Sequence, residues 1–302
     1  MDQNRGRQGV RPAGAKQTMR SMPRGAHWVL VLLTCCASLA AAAENRKEFH
    51  YQLAPHSSVT LTNQYGGVEV TPSSDGQVGV VAVLHSKKVE VDATQRGNRL
   101  ELRTHFLQGA GPEDGRVDYQ LRIPADTALN VRSTTGRISV QGINSDVTVE
   151  GDAADVSVRQ VRGGHIHVHT LSGPIQLQNV DLGDIEVVSV SGPVTMDHAD
   201  GRMVSVNTAD GKISYTGDLG DGGEYVFANH SGDIDVSLPA TASVDITATS
   251  TNGAVTNDFP FHPTAHSSIP LTQGKSFAGT ANSGSSSVHI RSFSGKIHVK
   301  KL

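Results

Sequence analysis

Residues 164–196 read GHIHVHTLSGPIQLQNVDLGDIEVVSVSGPVTM and contain one phrase four times. The phrase is a glycine, any residue, and then two apolar residues separated by a polar one. It begins at Gly164, Gly173, Gly183 and Gly192, so the intervals between its copies are nearly equal. Self-similarity at a short fixed period indicates an array of stacked units, because each unit must bury its apolar face against a copy of itself.

The phrase predicts a short strand entered through a turn. Glycine supplies the backbone freedom of a tight corner, and the alternation of apolar and polar residues is the period of a half-buried strand. The units sort into two interleaved series. The first series contains Ile138, Val156, Ile175, Val194, Ile213, Ile234 and Val255. The second contains Val147, Ile166, Ile185, Val204 and Tyr225.

Both series advance in nearly equal steps, which lengthen slightly around residues 216–223. We therefore expect an all-β fold, a single-chain parallel β-solenoid (β-helix) with about 19 residues and two strands per coil and with capped ends. Like positions of successive coils should form columns spaced by about 4.8 Å. No helical period competes with this pattern.

The chain divides into four predicted segments. Residues 1–43 are a signal peptide, 45–128 are N-terminal β-rich capping coils, 129–258 are the regular repeats, and 259–302 are C-terminal closing coils. The first and last segments of the mature chain alternate like strands but depart from the period, which is typical of units that close the ends of an array.

The N-terminus predicts export. Arg20 and Arg24 precede the apolar residues 28–33, and Ala41-Ala42-Ala43 offers a cleavage site. We expect a periplasmic or cell-surface protein with no stable transmembrane span after cleavage. A retained anchor, lipidation at Cys35, and a translation start at Met19 or Met22 are alternatives that the sequence leaves open.

Charge and cysteine content exclude several functions. The two cysteines, Cys35 and Cys36, both lie in the predicted signal, so the mature chain has no disulfide and no thiol chemistry. Residues 1–43 contain six of the 26 basic residues and one of the 29 acidic ones, so their removal leaves 20 basic and 28 acidic side chains. An acidic protein does not suit the phosphate backbone of nucleic acid, so we expect no nucleic-acid partner.

The first candidate site is a run of histidines. Alternation places Ile166 and Val168 inward, and His165, His167 and His169 on one outer face. A His-x-His spacing suits a divalent metal such as zinc or copper. The metal-ligand candidates, with the acidic residues that stacking places beside the histidines, are His165, His167, His169, Asp146, Asp184 and Glu186. The alternative is a solvated polar face with weak charge pairing. No other cofactor is expected.

Aspartates raise the question of a glycan-cleaving enzyme, because such enzymes place carboxylates on adjacent coils. Most aspartates of the repeats lie next to a glycine. Asp and Gly are common turn residues, so their presence there needs no catalytic explanation. The outer column Ser139, Ser157, Gln176, Thr195, Ser214 and Asp235 contains no acid pair. We therefore expect no catalytic residues and no enzyme.

Several passages resemble a known family. They are residues 61–70 (LTNQYGGVEV), 117–124 (VDYQLRIP) followed by 129–136, 236–239 (VSLP) and 294–297 (SGKI), together with the serial Gly-x-Ile units. The chain resembles, over residues 45–302, the exported bacterial β-solenoid proteins labelled putative adhesins. The resemblance implies a solenoid and brings no catalytic residues.

Together these observations predict a noncatalytic exported scaffold or adhesion-type binding module. Its partner would be an envelope protein or a polysaccharide. A polysaccharide-active β-helix enzyme and a periplasmic accessory of envelope-stress signalling are the alternatives.

Overall fold

The computed structural model describes residues 45–259, 261–263 and 274–302. Within these ranges the regular structure is strand, apart from a single 3-10 turn at Pro112–Gly115, so the expected all-β fold is confirmed. The predicted signal peptide and Cys35 lie outside the described residues. Among the residues described, no helix has the length and apolar character needed to cross a membrane.

The described residues contain 21 strands. Seven precede the regular repeat: β1 (Arg46–Tyr51), β2 (Ser58–Tyr65), β3 (Val68–Pro72), β4 (Val78–Leu84), β5 (Val89–Arg96), β6 (Arg99–Phe106) and β7 (Val117–Ile123). Eight follow: β8 (Ala128–Gln141), β9 (Val147–Arg162), β10 (His165–Ser172), β11 (Ile175–Ser189), β12 (Val194–Thr208), β13 (Ile213–Thr216), β14 (Glu224–Asn229) and β15 (Ile234–Leu238). Six end the chain: β16 (Val244–Ser250), β17 (Val255–Asn257), β18 (His262–Pro263), β19 (Ser276–Ala281), β20 (Ser286–Ser292) and β21 (Ile297–Lys301).

The central strands stack in parallel register. Ile166 of β10 pairs with Ile185 of β11, its counterpart one step along the series, and Ile213 of β13 pairs in the same way with Ile234 of β15. The aligned apolar side chains are buried and form ladders along the stack. Full burial of a Val or Ile side chain contributes about 1.5–3 kcal/mol relative to exposure, so these ladders hold the stack together.

The two interleaved series form two faces, and we call one level of the stack a rung. The first face contains β3, β13, β15, β17 and β21, together with the C-terminal parts of β8 and β9 and the N-terminal parts of β11 and β12. The second face contains β2, β10, β14, β16 and β20, together with the remaining parts of β8, β9, β11 and β12. Four strands thus pass from one face to the other without a break.

The corner that leads from the second face to the first has a recurring Ser/Thr/Asn-x-x-Gly sequence, and we call it the hydroxyl corner. Ser189 illustrates it: its buried Oγ accepts a hydrogen bond from the Gly192 amide at 3.0 Å and donates one to the Gly192 carbonyl at 3.2 Å. The sequence recurs at residues 133–136, 170–173, 208–211, 229–232, 250–253 and 292–295. These side chains satisfy backbone groups that the tight turn leaves without ladder partners.

Glycine at this corner is required by the closeness of the rungs. A Cβ on Gly192 would overlap the carbonyl oxygen of Gly173, and a Cβ on Gly211 would overlap that of Gly192. The regularly spaced glycines of the sequence therefore mark the places where backbone lies directly on backbone.

The N-terminal end is closed by antiparallel strands. The rung of β2 and β3 stacks directly on that of β8, with Val59 beside Leu129 and Val68 beside Ile138. One more parallel rung lies outside it, with β6 paired to β2 and β7 paired to β3. Beyond this rung β5 pairs antiparallel with β6, and β4 pairs antiparallel with β7 and β1. Antiparallel pairs of this kind cover the open edge that a parallel stack would otherwise present.

The C-terminal end differs from the predicted stacking order. The sequence series predicts Val255 as the neighbour of Ile234, and this step is wrong. Ile297 pairs with both of them, so the last rung, β20 and β21, lies between the rung of β14 and β15 and that of β16 and β17. The equal spacing of the series gave no sign of this insertion, because it depends on contacts between distant parts of the chain. Antiparallel β19 then pairs with β16.

The described residues between Asn45 and Leu302 belong to one compact unit. The finer subdivision at residues 128/129 and 258/259 stays a prediction.

Candidate functional site: a corner groove and two charged clusters

The predicted histidine cluster lies where the repeat places it. On β10, Ile166 and Val168 are buried, and His165, His167 and His169 point outward from the second face. His165 lies beside Asp184 and His167 beside Glu186 on the following rung. The register therefore confirms the predicted neighbours of this cluster.

Two of the histidines lie against carboxylates of the neighbouring rungs. His165 lies between Asp146, at 3.3 Å from Nδ1, and Asp184, at 3.4 Å from Nε2. His167 Nδ1 lies 3.1 Å from Glu186. Asp184 also pairs with Arg202 at 3.3 Å, so one of the proposed ligands already has a cationic partner.

The predicted metal site requires that several of these side chains converge on one point. Across residues 45–259, 261–263 and 274–302, no group of three or more His, Cys, Asp or Glu side chains is arranged to hold a metal ion. His165 contacts Asp146 and Asp184, His167 contacts Glu186, and His169 lies exposed beside Glu150 and Val188 of the neighbouring rungs. Metal binding at these residues stays a prediction for titration to test.

A second charged cluster lies at the other corner, which leads from the first face to the second and which we call the acid corner. Burial of Asp200, with the negative charges of Asp181 and Asp218, raises the pKa of the Asp200 carboxyl. Asp181 pairs in addition with Arg162 at 3.2 Å. Sequence reasoning assigned these aspartates to turns one by one and missed that stacking aligns them. Neighbouring carboxylates favour protonation of one member, which then can donate a hydrogen bond.

Two buried tyrosines support this cluster where the corner lengthens. Tyr215 and Tyr225 contact each other edge to face, with ring centroids 5.8 Å apart. The Tyr215 hydroxyl donates to the Asp218 carbonyl at 2.6 Å, and the Tyr225 hydroxyl accepts from the Gly220 amide at 2.9 Å. The longer corner of this coil therefore wraps around tyrosine hydroxyls that cannot fit among the aliphatic ladders.

A groove follows the hydroxyl corner along the stack, and we call it the corner groove. One wall is the last outward column of the second face, and the other is the ridge of residues that follow the buried hydroxyls. It contains two shallow depressions, of about 450 and 410 Å³. The first is lined by Thr62, Asn63, Gln64, Arg132, Ser133, Thr134, Glu150, Gly151, Asp152, His169 and Leu171. The second is lined by Val188, Ser189, Asn207, Thr208, Ala209, Ala228, Asn229 and His230.

The depressions are consecutive parts of one groove. His169 of the first pairs with Val188 of the second, and Thr170 pairs with Ser189. The groove therefore spans the seven rungs that contain β2, β8, β9, β10, β11, β12 and β14. Six rung spacings of about 4.8 Å give it a length of about 29 Å.

The ridge of the groove exposes apolar side chains. Leu171 is 51% exposed and Val190 44%, and Phe293, which is 47% exposed, continues the same column on the rung of β20, directly beyond the groove. Phe293 stacks on the His230 ring with centroids 4.7 Å apart and an angle of 6° between the planes. Exposed apolar groups that line up on one edge of a protein mark a binding surface more often than scattered ones do.

Sequence reasoning missed this groove, although its signal is present. The ridge residue is the one that directly follows the polar residue of each Ser/Thr/Asn-x-x-Gly sequence. In three of these sequences it is a large apolar residue: Leu171, Val190 and Phe293. Aligning the repeats on the polar residue, as well as on the glycine, would have placed these side chains in one column.

A family model described as Toastrack DUF4097 matches residues 56–300. The resemblance found in the sequence to the family labelled putative adhesins is confirmed. No curated protein matches the chain.

Three solved structures illustrate the similarity to known folds. A putative adhesin from Bacteroides fragilis shares 10% identity, covers 86% of this chain and 99% of its own, and has a TM-score of 0.49. A putative cell adhesion protein from Clostridium sporogenes shares 14% identity over 85% of this chain and 100% of its own, with a TM-score of 0.30. A putative adhesin from Parabacteroides merdae shares 11% identity over 85% and 96%, with a TM-score of 0.35. No statement about the function of this chain follows from similarities of this size.

Proposed function

The chain belongs to the Toastrack DUF4097 family, and from that premise we propose that it is a noncatalytic, exported binding module of the periplasm or cell surface. Its structural basis would be a β-solenoid of about 19 residues and two strands per coil with capped ends. The buried ladders would make the stack rigid, and the outer columns would carry the recognition surface. The family by itself supplies no function, since one fold serves many.

The observation that carries this proposal is the corner groove. It crosses seven rungs, presents hydroxyl and amide groups beside exposed apolar side chains, and lies on a backbone fixed by the parallel ladder. A shallow, extended and rigid surface suits the binding of a large partner better than the enclosure of a small substrate.

Binding to isolated cell envelopes tests the proposal. We expect the purified protein to co-sediment with envelope fractions from its source organism in a saturable manner, and to release no soluble product from them. If the protein associates with none of the envelope fractions, the proposal is wrong.

One observation favours a second candidate, a polysaccharide-cleaving enzyme. The raised pKa of Asp200 beside Asp181 is what a general acid needs. The release of reducing ends from acidic polysaccharides measures such activity. Turnover that is abolished by Asp200→Asn and kept by Asp75→Asn would show that the protein is an enzyme and not a binding module.

A further inference from the structure

We propose that the corner groove binds a linear, uncharged glycan lying along the axis of the stack. This inference rests on the proposed binding function and names the site and the ligand class. Four properties of the groove support it: its direction, its charge, its polar groups and its aromatic step.

The direction of the groove excludes strand addition by a peptide. The groove runs across the strands, and the corner amides beneath it are already used. Val190 N–H donates to the Thr170 carbonyl at 3.2 Å, and His230 N–H donates to the Ala209 carbonyl at 3.0 Å. An extended peptide gains its affinity from free backbone groups at a sheet edge, which this floor does not offer. A ligand here must be recognised by side chains.

The charge of the groove favours an uncharged ligand. Among the described residues that line the second depression, none is Asp, Glu, Lys or Arg. In the first depression, the guanidinium of Arg132 is held by both oxygens of Glu150, at 2.9 and 3.2 Å. The Asp152 carboxylate at the same depression repels an acidic polymer. A charged polymer that bound here would lose its hydration water, and the groove has no array of opposite charges to replace that water.

The polar groups of the groove match a polyhydroxylated chain. Asn207 provides an exposed amide in the second depression, and Thr62, Gln64 and Thr134 provide hydroxyl and amide groups in the first. Amides and hydroxyls both donate and accept hydrogen bonds, as sugar hydroxyls do. Their repetition along the stack suits a polymer with a repeating unit.

The aromatic step supplies an apolar surface for a sugar ring. His230 and Phe293 stack along the direction of the rungs, at a centroid distance close to the rung spacing. On the preceding rung the ridge residue is Ala209, whose small side chain lines the second depression together with His230. Each ring covers one face of the other, so a chain that lies along the stack meets the exposed ring edges, which form an apolar wall for pyranose C–H groups.

Isothermal titration calorimetry with defined oligosaccharides tests the proposal. The probes are cellohexaose and chitohexaose, which are uncharged, and hexagalacturonate, which is acidic. We expect at least one neutral hexamer to bind, with at least tenfold weaker binding of its disaccharide and of hexagalacturonate. The two neutral probes distinguish a plain hexose chain from an N-acetylated one.

Two variants locate the site. Phe293→Ala removes the aromatic step, and Ala209→Gln fills the depression; each should weaken binding of the hexamer about tenfold or more. Met203→Ala is the matched control, because this side chain is 53% exposed on the second face but lies outside the groove. Thermal melting of each variant checks that the fold is retained.

The other outcomes overturn the proposal in distinguishable ways. If the protein binds envelopes but no neutral hexamer, the glycan is wrong and the binding function stands. If a hexamer binds equally to both groove variants and the wild type, the site is wrong. If hexagalacturonate binds as tightly as the neutral probes, the charge argument fails. If Phe293→Ala instead converts a dimer to a monomer in sedimentation, the groove is an interface between copies of this chain.

Discussion

The hydroxyl corner and the acid corner turn the same chain between the same two faces, but they do so with different groups. Both contain glycines that lie directly against glycines of the next rung, such as Gly192 on Gly173 and Gly183 on Gly164. At the hydroxyl corner, buried Ser and Thr side chains complete the turn. At the acid corner, the non-glycine residues Gln160, Asn179 and His198 adopt φ values of 53°, 52° and 50°, in the left-handed region.

This difference shows which constraints the stack imposes and which it leaves free. Where the backbone of one rung lies directly on the backbone of the next, only glycine fits. Where side chains meet, several types fit, and like charges such as Asp181 and Asp200 can accumulate at a cost in stability. Four measurements test this distinction, from the largest expected effect to the smallest.

Gly192→Ala should give the largest loss of stability. Its Cβ would overlap the Gly173 carbonyl oxygen, which belongs to a ladder that cannot move alone. We expect a loss of about 2–4 kcal/mol in the free energy of unfolding, measured by urea denaturation. Gly111→Ala is the control, because nothing lies within 4 Å of the added Cβ and its φ is −107°. Equal losses in both variants would contradict the close-approach argument.

Ser189→Ala tests the buried hydroxyl. The substitution leaves the Gly192 amide without the acceptor that it has at 3.0 Å. An unsatisfied buried donor costs about 1–3 kcal/mol, and we expect a loss in that range by the same measurement. Ser191→Ala, nearby at an exposed position, should cost less than about 0.5 kcal/mol. A stability equal to that of Ser191→Ala would show that the hydroxyl corner needs only its glycine.

Asp200→Asn should stabilise the protein in a pH-dependent way. The folded-state pKa of Asp200 is raised above its ordinary value of 3.8. The protonated carboxyl therefore contributes to stability in full below pH 3.8, and this contribution is lost as the pH rises through the folded-state pKa. The amide of the variant does not ionise. After allowance for solvent screening, its free energy of unfolding should therefore exceed that of the wild type by about 0.5 kcal/mol at pH 7 and should equal it at pH 3. Thermal melting at the two pH values measures this. Asp75→Asn, in an exposed turn, should show no such difference; a gain that is independent of pH would contradict the charge explanation.

Addition of Zn²⁺ should give the smallest effect. His165 and His167 of β10 lie against different carboxylates, so we expect the melting temperature to shift by less than about 1 °C at a modest excess of metal. A larger rise that disappears in a His165/His167/His169→Ala triple variant would establish the metal site after all. A rise that persists in the triple variant would place metal elsewhere.

The period of the sequence predicted a large part of this structure. The alternation of Ile166 and Val168 with the three histidines was enough to assign inside and outside, and the regular step between coils was enough to place Glu186 beside His167. Both properties are local or strictly periodic, and a single chain displays them directly.

The remaining features depend on contacts that a period does not encode. Ile234 and Ile297 pair although five strands, β16 to β20, lie between them in the chain, and the equal spacing of Val255 favoured the wrong neighbour. The apolar ridge of Leu171, Val190 and Phe293 combines neighbours from both the regular and the inserted rungs. The alignment of Asp181 with Asp200 required the corner geometry, because each aspartate alone looks like an ordinary turn residue.

The inserted last rung has a consequence for biosynthesis. The polypeptide emerges from its N-terminus, so β16 and β17 exist before the strands that separate them from β14 and β15. Until residues 286–301 arrive, two parallel edges face each other without a partner, and each can recruit strands from a neighbouring nascent chain. A product that ends before Ser286 would keep both edges open. The order of the rungs in the finished stack therefore differs from the order in which their strands are synthesised.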